Sequence, residues 1–208
     1  MKMLPKNIFG LTGGIGSGKT TLANILKNKH SEVKIFDCDV VANEIMDDEK
    51  VKKEIKLILG NEVVVEEKLN RKKIAEIIFN NPIKKKRIEL LIHPKVWQKL
   101  DKEIEKSNED EIILVESAIF FDIGKDNDIP RIITTICSVE ERIKRLKKRN
   151  GWSDKEIKQR IKNQTSEEIL KEKSQVIIDT NCSLKQLEEK SEKLYQILVN
   201  WKNKKLIW

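Results

Sequence analysis

Gly10-Leu11-Thr12-Gly13-Gly14-Ile15-Gly16-Ser17-Gly18-Lys19-Thr20-Thr21 decides how the rest of this chain reads. Within it, Gly13 to Thr20 satisfies the pattern G-x-x-x-x-G-K-[ST]. The apolar run Ile8 to Thr12 in front of it reads as a buried strand. Behind it, Leu22, Ala23, Ile25 and Leu26 recur at helical spacing across Thr20 to Lys29. Strand, glycine turn and helix, in that order, are the setting in which the pattern means a phosphate cradle. The glycines let the backbone curl so that successive N–H groups point inward. The helix N-terminus adds orphan donors and the positive end of a dipole. Lys19 can then reach the β- and γ-phosphates of a nucleoside triphosphate, and the Thr20 hydroxyl can join a Mg²⁺ shell. The nucleotide-binding set is therefore Gly14, Ile15, Gly16, Ser17, Gly18, Lys19, Thr20 and Thr21.

Working outward, Val33 to Phe36 reads as a second strand that ends in Asp37-Cys38-Asp39. In open α/β sheets, ligands sit beyond the carboxyl ends of strands, so these carboxylates project toward the phosphate region. One can take the proton of an attacking hydroxyl while the other holds Mg²⁺ through water. Asp39 also suits a helix N-cap. From Val40 to about Ser107 the apolar residues keep helical period, with only a weak strand signal at Val63 to Val65. This block reads as a helical lobe inserted into an α/β core. His93-Pro94 within it is a substrate contact or a helix break, since the residue before proline is pushed out of the α region. The run Lys84-Lys85-Lys86-Arg87 reads as a solvated helix face.

Ile112 to Val115, Ile132 to Cys137 and Val176 to Asp179 complete the strands, and Glu116 ends the first of these as a further candidate near the metal. Capping-box patterns at Ser138…Glu141, Ser153…Glu156 and Ser183…Gln186 open the later helices. Arg142, Arg145 and Arg149 share one helix face, and Arg160 and Gln164 follow on the next helix. In small-molecule kinases such an arginine-bearing pair closes over ATP, excludes water and neutralises developing charge. The fold class is α/β: a three-layer P-loop NTPase fold with a mostly parallel five-stranded sheet, a helical acceptor-binding lobe and a helical lid.

Composition narrows the setting. The chain has 208 residues, 38% hydrophobic and 37% charged, with net charge +8. That supports one globular domain with a heavily charged surface and a weak preference for anionic ligands. Cys38, Cys137 and Cys182 are far apart, which argues against a disulfide framework or zinc site and for small buried side chains in a reducing cytosol. Lys2 and Lys6 before Ile8 faintly resemble a signal peptide, but the apolar stretch is too short. A soluble, cytoplasmic protein is expected, with no membrane and no nucleic-acid partner. Trp97, Trp152 and Trp201 read as packing or boundary residues, and Trp208 joins no cluster.

Taken together, these residues resemble the dephospho-coenzyme A kinases. The resemblance rests on Gly10 to Thr21, on Phe36-Asp37-Cys38-Asp39, on Leu69-Asn70-Arg71, on Ile78-Phe79 with Pro82, and on Leu91-Ile92-His93-Pro94. It continues through Val115 to Asp122 and through Arg145, Arg149 and Arg160…Gln164, so that it spans about residue 8 to 190. It implies transfer of the ATP γ-phosphate to the ribose 3′-hydroxyl of dephospho-coenzyme A, with Mg²⁺. It also implies Asp39 as base, Lys19 and Arg145 as further catalytic groups, and Arg149 against the nucleotide. Asp37, Arg71, His93, Glu116, Arg160 and Gln164 would contact substrate. The parts would be a core (1–40, 110–138, 174–208), an acceptor lobe (about 41–109) and a lid (about 139–173), in a monomer or weak oligomer. Asn43, Ser117-Ala118, Ser174-Gln175 and Cys182 depart from the residues usual in that family.

Other readings make different demands. A nucleoside monophosphate kinase would carry a D-G-x-P-R-like segment, which is missing. A GTP switch needs D-x-x-G and N-K-x-D, and neither occurs. A nucleic-acid-dependent ATPase would have to rest on the net charge alone.

Overall fold

The computed structural model describes residues 7–124, 128, 129 and 131–203. Lys2, Lys6 and Trp208 lie outside the described residues. The chain divides into two compact units, one of residues up to Phe36 and from Ser107 onward, the other Asp37–Lys106.

The first unit is built on a five-stranded sheet of order β2-β5-β1-β6-β7. Its strands are β1 (Ile8–Gly13), β2 (Val33–Asp37), β5 (Ile112–Glu116), β6 (Ile132–Ile136) and β7 (Val176–Asp179). β1 runs parallel to β5 and to β6, and β6 parallel to β7. β1, paired on both sides in the middle of the sheet, is buried along its whole length. Parallel strands covered on both faces read as continuous apolar runs, and that is why the periodicity located them. Around them lie α1 (Lys19–Lys29), α6 (Val139–Asn150), α7 (Asp154–Lys162), α8 (Glu167–Lys173) and α9 (Leu184–Asn203). One core cluster joins Phe9 and Leu11 of β1 and Leu114 of β5 to Leu22 and Leu26 of α1 and Leu194 and Leu198 of α9. Trp201 stacks on Phe9 with ring centroids 5.9 Å apart, the packing role expected of it. Burial of each such leucine contributes about 1.5–3 kcal/mol.

The cap signals are realised locally. Ser138 and Ser153 accept hydrogen bonds from Glu141 N and Glu156 N, and the Glu156 carboxylate closes a full capping box. Ser183 and Gln186 bond reciprocally at the start of α9. Ser174 and Gln175 serve the sheet: Ser174 Oγ lies 2.6 Å from Thr134 Oγ1, and Gln175 Oε1 accepts from Ile132 N at 2.7 Å.

The second unit holds α2 (Cys38–Met46), α3 (Glu49–Leu59), a 3₁₀ turn (Asn61–Val63), the antiparallel pair β3 (Val64–Val65) and β4 (Lys68–Leu69), α4 (Arg71–Asn80) and α5 (Pro82–Lys106). The weak strand signal at Val63 to Val65 is thus one arm of a hairpin. Its second arm has no sequence signal, because the turn residues Glu66 and Glu67 take φ of 49° and 63°, a conformation usually signalled by Asn or Gly. α5 runs without interruption through Pro94, so His93-Pro94 does not break the helix. A stripe of Ile88, Ile92, Val96 and Leu100 buries one side of α5, and this packing overrides the proline's local cost. The helix opens with Asn81 capping Lys84 N at 2.9 Å and Pro82 at the first helical position. Lys84 of the basic run donates to Leu59 O at 3.0 Å at the end of α3. Among the described residues, no helix is long and apolar enough to cross a membrane.

The core of the first unit sets a stability expectation. Leu114→Ala removes a fully buried side chain from the sheet interior and should cost about 2–5 kcal/mol. Leu57→Ala, at a side chain 84% exposed, should change stability by less than about 0.5 kcal/mol. Urea denaturation of both variants checks the contrast.

Candidate active site

Between β1 and α1 the chain makes the turn that the glycine spacing predicts. Gly13 (φ 143°) and Gly18 (φ 91°) occupy positive-φ conformations that L side chains rarely adopt. A Cβ at Gly13 would come within 2.4 Å of Thr135 O, a backbone atom that cannot yield. Gly18 is also the N-cap of α1, and no side chain there competes for the first amides of the helix. Those amides have no carbonyl within the helix, so they are the donors an anion would meet.

Lys19 opens α1, and its Nζ folds back over the turn, 3.0 Å from Gly13 O and 3.5 Å from Gly14 O. The next residue, Thr20, donates its hydroxyl to Oε1 of Glu116 at 2.6 Å. Glu116 sits at the carboxyl end of β5 and is buried. A hydroxyl facing a buried carboxylate is a hard-oxygen pair. It suits Mg²⁺, which takes one or two protein ligands beside phosphate oxygens. Among the described residues there is no group of three or more His, Cys, Asp or Glu that could cage an ion alone.

The Ser17 side chain points inward rather than at a ligand. Its Oγ lies 2.7 Å from Thr135 Oγ1, and its carbonyl accepts from Thr180 Oγ1 at 2.6 Å. Thr180, just after β7, was not singled out from the sequence, yet it is the junction of this region. Arg145 reaches it through Nη1 (3.1 Å to Oγ1) and Nη2 (2.8 Å to O), and α6 is thereby fastened to the end of the sheet. Arg145 Nη1 also lies 3.4 Å from Gly16 O, and its Nε pairs with Glu141 at 3.2 Å.

The arginines on the α6 face prove unequal. Arg142 is buried, with its Nε donating to Ile15 O at 2.8 Å; desolvation pushes its pKa below the ordinary value, and Glu167 opposes that. Arg149 is exposed and rests on Asn150. Spacing placed all three on one face but carried no signal of which would be covered. Gln164, just beyond α7, accepts from Ile15 N at 2.8 Å. Arg160 is not at the turn; its guanidinium carbon lies 4.1 Å from the centroid of the Trp152 ring. Trp152 thus packs against Arg160, one of the two roles expected of it.

Beside the turn lies a cavity of about 380 Å³ lined by Gly18, Lys19, Thr20, Thr21, Arg145, Arg149, Thr180 and Cys182, among others. Cys182 is therefore partly exposed at a cavity wall, unlike the buried Cys38 and Cys137. A cavity of that size, opening on a phosphate cradle, can receive a nucleotide.

The remaining site residues belong to the second unit. Asp37, not Asp39, caps α2: its Oδ1 accepts from Asp39 N at 2.9 Å and Val40 N at 3.1 Å. The cap falls there because Asp37 keeps extended backbone while Cys38 is already helical. Asp39 stands exposed in the first turn of α2. Arg71, first in α4, donates Nη2 to Asn43 O at 3.0 Å and to Asp47 Oδ1 at 2.9 Å, while Nη1 bonds Asn43 Oδ1. His93 is half-buried in α5; burial lowers its pKa, Glu89 opposes this, and Lys86 and Lys85 add to the lowering.

Known proteins resemble this chain over most of its length. The sequence model of the dephospho-CoA kinase family (CoaE) matches residues 7–186. The dephospho-CoA kinase of Fusobacterium nucleatum is 32% identical over 192 residues, covering 92% of this chain and 98% of the relative. Among solved structures, TT1252 from Thermus thermophilus superposes with a TM-score of 0.81 at 28% identity, covering 94% of this chain and 98% of its own. The dephospho-CoA kinase from Campylobacter jejuni superposes with a TM-score of 0.61 at 27% identity, over 92% and 97%.

Proposed function

The chain belongs to the dephospho-coenzyme A kinase family, an ATP-dependent phosphotransferase of the last step of coenzyme A biosynthesis, and from that premise we propose how its own residues carry the reaction. The observation that carries the proposal is the curled turn itself, with Lys19 Nζ folded over its carbonyls and Thr20 set against Glu116 beside the cavity.

In this reading the backbone N–H groups around Gly16 to Thr21 and the Lys19 ammonium bind the β- and γ-phosphates of ATP. Thr20 would hold Mg²⁺, with Glu116 and Asp37 as the carboxylates that would support it. When bound, the ion supplies charge neutralisation across the phosphates. Asp39 orients the ribose 3′-hydroxyl of dephospho-coenzyme A and takes its proton. The alkoxide oxygen forms a bond to the γ-phosphorus as the bond from that phosphorus to the bridging oxygen breaks, and ADP leaves. Arg145 and Arg149, joined by Arg160 when it leaves Trp152, offset the charge on the moving group. Most of the acceleration then comes from positioning and electrostatics.

Arg71 and His93 contact the acceptor. Arg71 fits that role because Asn43 and Asp47 hold its guanidinium in one place. The Gln164 side chain belongs with the loop, since its amide oxygen is taken by Ile15 N–H. The working parts are a core (1–40, 110–138, 174–208), an acceptor lobe (about 41–109) and a lid (about 139–173). The enzyme works in the cytoplasm as a monomer or weak oligomer, without nucleic acid or membrane.

A coupled ADP-release assay with dephospho-coenzyme A, AMP, adenosine and single-stranded DNA tests this. Turnover is expected with dephospho-coenzyme A and Mg²⁺, and only background with the others. Strong turnover with AMP alone would overturn the acceptor assignment, and DNA-stimulated hydrolysis with a steep salt dependence would favour an ATPase.

A further inference from the structure

Both backbone groups of Ile15, at the tip of the turn, are held by side chains far away in sequence. Its N–H donates to Gln164 Oε1 at 2.8 Å, 149 residues on, and its carbonyl accepts from Arg142 Nε at 2.8 Å, 127 residues on. Neither bond belongs to a helix or a strand ladder. A glycine-rich turn has many backbone states, so its amides form a ready-made anion site only if something pins the turn.

The Arg142 guanidinium also closes one wall. A Cβ on Gly14 would come within 2.4 Å of Nη2 and 2.8 Å of Cζ, so the absence of a side chain at residue 14 is what admits the arginine. Gly16 is backed by the same helix, where a Cβ would lie 3.1 Å from Leu146 Cγ. Burying a guanidinium is unfavourable unless its donors find acceptors, and here the Nε donor is spent on the loop. Gln164 in turn lies four residues beyond Arg160, whose guanidinium rests on Trp152.

We propose that Arg142 and Gln164 are positioning residues that clamp Ile15 through the two peptide groups flanking its Cα, setting the curvature of the phosphate-binding turn and tying the 139–173 segment to it. The clamp rests on the reading of this turn as the ATP site. It acts on nucleotide affinity and leaves the acceptor alone, which a merely structural role would not do.

The test uses full-length Gln164→Leu, Arg142→Leu and the double variant, with kcat and both KM values from ADP release. Each single change is expected to raise the ATP KM about tenfold, with the dephospho-coenzyme A KM within about twofold and kcat within about threefold. Because both bonds hold the same residue, through its N–H and its own carbonyl, the double variant should be clearly less impaired than the product of the singles. Should buried Arg142→Leu fail to fold, Gln164→Leu carries the test alone, with faster hydrogen exchange at the Ile15 amide as its second readout. The clamp is refuted by an ATP KM unchanged in Gln164→Leu, by a loss shared equally between the two substrates, or by a fully multiplicative double variant. A wild-type protein that releases no ADP would refute the underlying site instead, so the two failures are distinguishable.

Discussion

Lys19→Ala is expected to lower kcat/KM for ATP by about 10²–10³-fold, the range found when one preorganised donor to a developing charge is deleted. Lys19 occupies the lysine position of the phosphate loop, and its Nζ already lies over the carbonyls of Gly13 and Gly14. In the proposed mechanism an ammonium held there stands beside the β- and γ-phosphates. Part of the loss should appear as weaker ATP binding, since a hydrogen bond to a charged group contributes about 1.5–3 kcal/mol. The rest should appear in kcat, because negative charge shifts toward the bridging oxygen as the bond breaks. The fold should survive: the turn is pinned independently by Ser17, Thr180, Arg142 and Gln164. Steady-state ADP release, with titration of a fluorescent ATP analogue, separates the two parts. A Lys19→Ala enzyme within about tenfold of wild type would remove this lysine from the mechanism.

Asp39→Asn should all but abolish turnover while leaving ATP affinity within several-fold. General-base catalysis contributes about 10²–10⁴-fold, and the amide keeps the shape of the carboxylate while losing its basicity. The cap of α2 makes this a clean experiment. Asp37, not Asp39, accepts the first amides of that helix, so the substitution leaves the helix start intact. Asp37→Asn is the useful companion, since asparagine caps as well as aspartate and stability should hold. Equal thermal midpoints for the two variants, with activity lost in Asp39→Asn, would assign the proton to Asp39. An active Asp39→Asn enzyme would sink the proposed base.

Much of the fold was legible because its signals are local. Buried parallel strands are apolar without alternation, so Ile8–Thr12, Ile112–Val115 and Ile132–Cys137 stood out against a highly charged background. Serine followed three places on by Glu or Gln marked the starts of α6, α7 and α9. Where local signals are weak or overridden by packing, the structure departs from expectation. Glu66 and Glu67 form a tight hairpin turn with no Gly or Asn to announce it. Pro94 looks like a stop, yet the apolar stripe from Ile88 to Leu100 carries α5 through it.

At the site the division is similar. The sequence alone determined the phosphate cradle, because glycine's access to positive φ, the lysine and the hydroxyl are properties of consecutive residues and their spacing. It also determined that carboxylates end strands β2 and β5. Only the tertiary structure decided that Arg142 is buried against Gly14, that Thr180 joins the Ser17 carbonyl to Arg145, and that the N–H and carbonyl of Ile15 are both held from beyond residue 140. The physical reason is distance along the chain. A turn's conformation depends on its own residues, whereas the burial of a charged side chain depends on which surface the completed fold lays against it.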